Sequence, residues 1–271
     1  MQKRQKLRGR VYRAMMAEMR TFASLPILLL AACGAVGGVG AGALARAPET
    51  DVLFIGNSFT FWHGGLWRQL EALSDGEDPK LGYEADCVVR GGASLEVMWE
   101  RTKARARIAA GGWDVVVLQE DLPETSVASF RDYAARFVAA VRETGARPVL
   151  YMTWEYDRLD WISFDEILAA HREVAAALDV DVAPVGLAWR LARAARPDLD
   201  MYGRDREHPS VAGSYLALMV LEATVSGLPP VDHDPDEVRL PGLERIEVED
   251  ARLLQQIASC AIDAWRADTE R

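Results

Sequence analysis

Cysteine and histidine are scarce in this sequence, with three of the first and four of the second in 271 residues. Cys33, Cys87 and Cys260 lie far apart and no C-x-x-C pair occurs, which excludes the usual structural zinc site. Cys87 and Cys260 sit in apolar segments and read as small buried hydrophobes, with a disulfide between them left open. Internal repeats are absent. Positive charge is scarce relative to negative after residue 20. Residues 1–20 carry seven basic side chains against Glu18 alone, so the formal −10 of the whole chain leaves −16 for residues 21–271. A body that acidic repels phosphate backbones, and nucleic acid is not an expected partner. The run Asp232-His233-Asp234-Pro235-Asp236 holds ligand-type side chains, but in a Pro-rich loop without ligand geometry, so no metal site is expected there.

The basic N-terminus is followed by an uncharged stretch from Thr21 to Ala45, the order of an export signal. Within it, Leu30-Ala31-Ala32-Cys33 resembles the bacterial lipobox, in which the cysteine is lipidated and becomes the mature N-terminus. Residues 1–33 are therefore read as an export signal of the lipoprotein type, started from Met15, Met16 or Met19. Residues 34–50 are read as a flexible Gly/Ala tether and 51–271 as the folded domain. Two alternatives stay open: an uncleaved anchor over Pro26–Ala45, long enough to span a bilayer, and simple cleavage near Ala43–Ala45. All three place the domain outside the cytoplasm, in a bacterial cell envelope or beyond it.

From Asp51 the chain alternates short apolar runs with amphipathic stretches. Val52–Ile55, Tyr83–Val89, Val115–Leu118, Pro148–Thr153 and Val180–Val185 are expected strands, the continuous apolar ones reading as buried parallel strands. Helices are expected around Leu66–Leu73, over Leu95–Ala110, and around Phe130–Val141, ended by Gly145. Further helices are expected over Phe164–Leu178, from Pro209 through Val225, and over Asp250–Ala267. The alternation predicts an α/β fold: one flavodoxin-like, three-layer domain with a mostly parallel sheet. Ligands of such sheets lie off the carboxyl ends of the strands, which directs attention to the loops starting at Gly56, Arg90, Gln119, Trp154 and Gly186.

The first of these loops is Gly56-Asn57-Ser58-Phe59-Thr60, which sets a serine at a strand-to-helix junction. Near the last core helix comes Asp205-Arg206-Glu207-His208-Pro209-Ser210. A serine needs a base to become a nucleophile, and histidine is the usual one near neutral pH. An aspartate three residues before that histidine can fix its tautomer and stabilise its cation. Either piece alone is an ordinary turn or helix cap. Together they resemble the SGNH (GDSL-like) hydrolases, whose first block is Gly-Asp-Ser or Gly-Asn-Ser and whose last is Asp-x-x-His, over most of residues 51–228. The resemblance implies a serine ester hydrolase that needs no cofactor, with Ser58 as nucleophile, His208 as base and Asp205 as its partner. It also implies an oxyanion hole from the N–H groups of Ser58 and of Gly92, in Arg90-Gly91-Gly92-Ala93-Ser94, with Gly91 as the alternative. The third block departs from the usual Gly-x-Asn-Asp: the strand ends Leu118-Gln119-Glu120, and the Gln119 amide is expected to replace the asparagine. Glu120 is expected to be a solvated loop acid rather than an orienting group. Trp62, His63, Trp154 and Tyr156 are candidate pocket residues, and His171, on an apolar helical stripe, is expected to be structural. The implied substrate is a small-molecule or glycan ester, an O-acetylated carbohydrate among the candidates. An envelope O-acyltransferase and a non-catalytic carbohydrate-binding protein are the alternatives. The expected membrane contact is through the N-terminal lipid or anchor.

Overall fold

The five expected strand segments become five parallel strands. The computed structural model describes residues 50–74, 82–230, 240–244 and 246–269. The export segment with Cys33, most of the tether and the Asp232–Asp236 run lie outside the described residues. The strands are β1 (Thr50–Gly56), β2 (Tyr83–Val89), β3 (Val115–Gln119), β4 (Arg147–Tyr151) and β5 (Asp181–Ala183). They form one sheet in the order β2-β1-β3-β4-β5, each pair parallel. The helices are α1 (Ser58–Phe61), α2 (Leu66–Leu73), α3 (Leu95–Arg101), α4 (Ala104–Ala109), α5 (Val127–Glu143), α6 (Phe164–Leu178), α7 (Val185–Ala195), α8 (Val211–Ser226) and α9 (Val248–Thr269).

Side-chain alternation along each strand feeds two cores, one on each face of the sheet. Val52, Phe54, Val115, Val117 and Val149 face α2, α7, α8 and α9, while Leu53, Ile55, Val116, Leu118 and Leu150 face α3, α4, α5 and α6. Both faces are covered, as the unbroken apolar strands require. Helix α8 is apolar nearly all round, and thirteen of its sixteen residues are buried between the sheet and α9.

Several boundaries differ from the sequence reading. The helix expected over Leu95–Ala110 is two, because Thr102 is extended (φ −129°, ψ 179°) and its hydroxyl accepts a hydrogen bond from the N–H of Ala104, starting a new turn. Helix α7 was not expected. It follows β5 directly through Pro184, and no side chain caps it. Helix α8 starts at Val211 rather than Pro209. Ser210 is its N-cap, accepting from the N–H of Gly213 at 3.1 Å, and Pro209 lies before it in an antiparallel bridge to Tyr202. Cys87 and Cys260 are half-buried thiols rather than a disulfide.

The sheet order reverses direction at β1, which has β2 on one side and β3 on the other. Register then places three loops together at one end: Gly56 pairs with Val89, and Ile55 with Leu118. The segments after β1 and β2, carrying Ser58 and Gly92, meet Gln119 at the end of β3 in the same crevice.

Candidate active site

Helix α1 is a single turn whose start is fixed by Asn57. The Asn57 side chain accepts from the N–H of Phe59 at 3.0 Å, so Ser58 takes the first helical position. Gly56 is there for lack of space: a Cβ would lie 2.4 Å from Thr60 Oγ1 and 2.6 Å from Gln119 Oε1. The N–H of Ser58 makes no hydrogen bond to any described residue and points out of the helix start.

Asp205 and His208 arrive on a tight loop before α8. Oδ1 of Asp205 accepts from the N–H groups of Glu207 and His208, at 3.1 and 3.0 Å, which folds the loop back on itself. The loop is pinned from outside as well: Trp154 Nε1 donates to the carbonyl of Glu207, and the N–H of Asp157 to that of Arg206, both at 3.0 Å. Arg206 sits at a left-handed φ of 58°, and its guanidinium holds Asp157 and Asp200.

These two loops bring three side chains into line. His208 Nε2 lies 2.8 Å from Ser58 Oγ, and His208 Nδ1 lies 2.7 Å from Asp205 Oδ2. Burial pushes the Asp205 carboxyl up, but the hydrogen bonds from His208 and from two backbone N–H groups outweigh it and hold the group below its ordinary range. An ionised carboxylate only accepts, so Nδ1 carries the proton and the Nε2 lone pair faces the Ser58 hydroxyl. The His208 ring lies against the indole of Trp62, with centroids 3.9 Å apart and planes 14° from parallel.

Gly92 has a φ of +62°, and a Cβ there would meet nothing within 4 Å, so its backbone borders open space. Its loop is tied to β1 by the Arg90 N–H to Gly56 carbonyl bond at 3.1 Å. The N–H of Gly92, like that of Ser58, is uncommitted among the described residues.

Gln119 is not placed as expected. It is wholly buried, and its Oε1 accepts from the N–H of Asn57 at 2.7 Å and the hydroxyl of Thr60 at 3.2 Å. Its Nε2 donates to the carbonyl of Glu120 at 3.1 Å. The amide lies beneath the Asn57–Thr60 turn and braces it rather than opening toward the crevice. Glu120 corrects the sequence reading outright. It is 1 % exposed, and its carboxyl accepts from the N–H of Leu95 at 3.3 Å and of Asp121 at 2.7 Å. It thus fixes the start of α3, just past the Gly92 loop. Burial pushes its pKa up to about 8.

A buried group that sequence reasoning missed lies alongside. Asp121 accepts from Asn57 Nδ2 and from the hydroxyl of Tyr156, both at 2.7 Å. Burial raises its pKa to about 6 against the pull of those two donors. The signal available was two adjacent carboxylates ending an apolar strand, an expensive place for charge unless it is bonded.

The remaining candidates are sorted by burial. Trp154 is 1 % exposed and stacked on Trp189 with centroids 3.7 Å apart, and Tyr156 is 3 % exposed and committed to Asp121, so both are packed rings behind the site. His63 Nδ1 is engaged with the Ser214 hydroxyl at 2.8 Å. His171 is buried with Nδ1 donating to the carbonyl of Ile167, and burial holds its pKa down to about 4, which fits the structural role expected of it.

No protein-family model matches the sequence, and no curated protein matches it. Solved structures do. A Slackia heliotrinireducens protein named as an SGNH hydrolase is similar at 30 % identity and TM-score 0.55, over 65 % of this chain and 99 % of that one. The chain belongs to the SGNH hydrolase superfamily. Two further solved structures are similar at identities that speak for the fold alone. One is a DUF4886 family protein from Bacteroides uniformis, with 18 % identity and TM-score 0.59 over 79 % of this chain and 95 % of that one. The other is the acetyl xylan esterase AlAXEase, with 16 % identity and TM-score 0.55 over 65 % and 99 %. Membership of this superfamily makes the chain a hydrolase at the level of the family.

Proposed function

We propose that the chain is a serine ester hydrolase working through an acyl-serine, and the observation that carries this reading is the Ser58–His208–Asp205 line, at 2.8 and 2.7 Å. His208 Nε2 takes the Ser58 proton as Oγ attacks the ester carbonyl carbon. The tetrahedral oxyanion is met by the N–H groups of Ser58 and Gly92, preset dipoles that cost no rearrangement as the charge develops. Asp205 stays ionised and stabilises the imidazolium. His208 then returns the proton to the departing alcohol, leaving the acyl group on Ser58. Water, deprotonated by the same histidine, releases the acid and restores the serine. In this scheme Gln119 holds the Asn57–Thr60 turn in shape and leaves the oxyanion to backbone donors.

An acetyl xylan esterase on the same fold makes O-acetylated carbohydrate the first ester to offer, beside p-nitrophenyl esters of rising chain length. Hydrolysis of short esters by the wild-type protein, with an acyl group trapped on Ser58 after acid quench, supports the reading. Acyl transfer to an added sugar in preference to water would turn it to an acyltransferase. No turnover of any ester, with the fold intact, would leave a binding protein. We further propose that Cys33 is lipidated and holds the domain on the outer face of a membrane.

A further inference from the structure

Trp62 follows the last residue of α1 and stacks on His208, yet it is only half-buried, unlike the neighbouring Phe59. Hydrophobic burial alone does not explain why its ring lies flat on the histidine. The chain beyond it is held in an unusual turn. His63 adopts a left-handed φ of 48°, uncommon for a residue with a side chain. Three contacts hold it there: the Gln69 amide donates to its carbonyl at 2.8 Å, its ring engages Ser214, and Gly242 packs so close that a Cβ would lie 1.9 Å from the His63 carbonyl oxygen. A strained, over-determined turn next to Trp62 fixes the direction of the indole. Phe59 closes on the His208 ring from another side, with centroids 5.5 Å apart and planes at 52°.

We propose that Trp62 is a positioning residue for the base: its indole face keeps the His208 ring in line with Ser58 Oγ and favours the cation formed when the serine proton moves. This rests on the acyl-serine reading. An indole face attracts an imidazolium through its quadrupole and a neutral imidazole far less. The contact therefore strengthens between ground state and transition state, which is the condition for raising kcat rather than lowering KM. Asp205 bonds the ring at its Nδ1 edge, whereas the Trp62 indole covers a face, so the two contacts act on different parts of the histidine.

The test compares Trp62→Leu, which keeps an apolar side chain, with Trp62→Phe, which keeps an aromatic face. Both are first shown to fold by circular dichroism, and Trp62→Met replaces the leucine variant should that one fail to fold. Turnover of p-nitrophenyl acetate and the rate of Ser58 labelling by a fluorophosphonate are measured for each. Trp62→Leu is expected to lose roughly 3- to 30-fold in kcat and in labelling rate with little change in KM, and Trp62→Phe to recover most of both. A Trp62→Leu protein with wild-type kcat and labelling, or a Trp62→Phe protein as slow as Trp62→Leu, overturns the role and leaves Trp62 a rim aromatic. A wild type that is not labelled at Ser58 overturns the acyl-serine reading, and this role with it.

Discussion

Replacing Glu120 with glutamine should change how stability depends on pH, with a sign that the buried position dictates. The carboxyl has a pKa near 4.5 when unfolded and about 8 when folded, because burial disfavours its charge. Below about pH 4.5 both states hold the proton. Between there and about pH 8 the folded state keeps it while the unfolded state has lost it, so stability falls as pH rises through this window. From pH 6 to pH 8 the loss from this one group amounts to about 2 kcal/mol, given ~1.4 kcal/mol per unit at full slope and a levelling near the folded pKa. Asp121 contributes in the same direction, but its folded pKa of about 6 ends its window there. His171 works in the opposite sense between about pH 4 and its ordinary value, so the difference between the two proteins isolates Glu120, not the slope of either. Glu120→Gln keeps an oxygen for the N–H groups of Leu95 and Asp121 and removes the proton equilibrium. Urea unfolding followed by circular dichroism at pH 6 and pH 8 should show the wild type losing about 2 kcal/mol more than the variant. Equal losses would refute a buried, neutral Glu120.

Two other outcomes are expected. Gln119→Leu removes the acceptor of two buried donors, the Asn57 N–H and the Thr60 hydroxyl, and should cost about 1–3 kcal/mol for each in unfolding experiments, together with reduced kcat; a stable variant slowed only in turnover would return Gln119 to the oxyanion role. Cys33→Ser should move the protein from the membrane to the soluble fraction, since a lipidated cysteine carries acyl chains worth about 0.8 kcal/mol per buried CH₂; a wild-type mature N-terminus near Arg46, found by mass spectrometry, would reject lipidation.

The sheet was legible because its strands announce themselves locally. Val115–Leu118 is β-branched and unbroken, and Val52–Ile55 ends on a glycine at the turn. The meeting of Ser58 with the Asp205–His208 pair was legible for a different reason: the proposed chemistry requires particular residue types in a particular spacing, and the alternating chain delivers both segments to one crevice. What escaped depends on tertiary burial. Two carboxylates after an apolar strand hint at burial, but Gln119-Glu120-Asp121 cannot name what closes over them, because those groups come from α1, α3 and the segment after β4. The same holds for Trp62, whose partner is 146 residues away in sequence and meets it only once the sheet has formed. Helix α7 was missed because a strand, a proline and a helix follow one another with no turn residue between.

The residue a fluorophosphonate attacks decides whether Ser58 is the nucleophile. One covalent adduct is expected on the wild-type chain, mapped by mass spectrometry to the peptide bearing Ser58 and abolished in Ser58→Ala. The same substitution should lower ester turnover by ~10⁴- to 10⁶-fold, with His208→Ala costing about as much and the double variant little more, as residues acting as a unit require. An adduct on another residue, or a folded Ser58→Ala protein that still hydrolyses esters, would contradict Ser58 as the nucleophile.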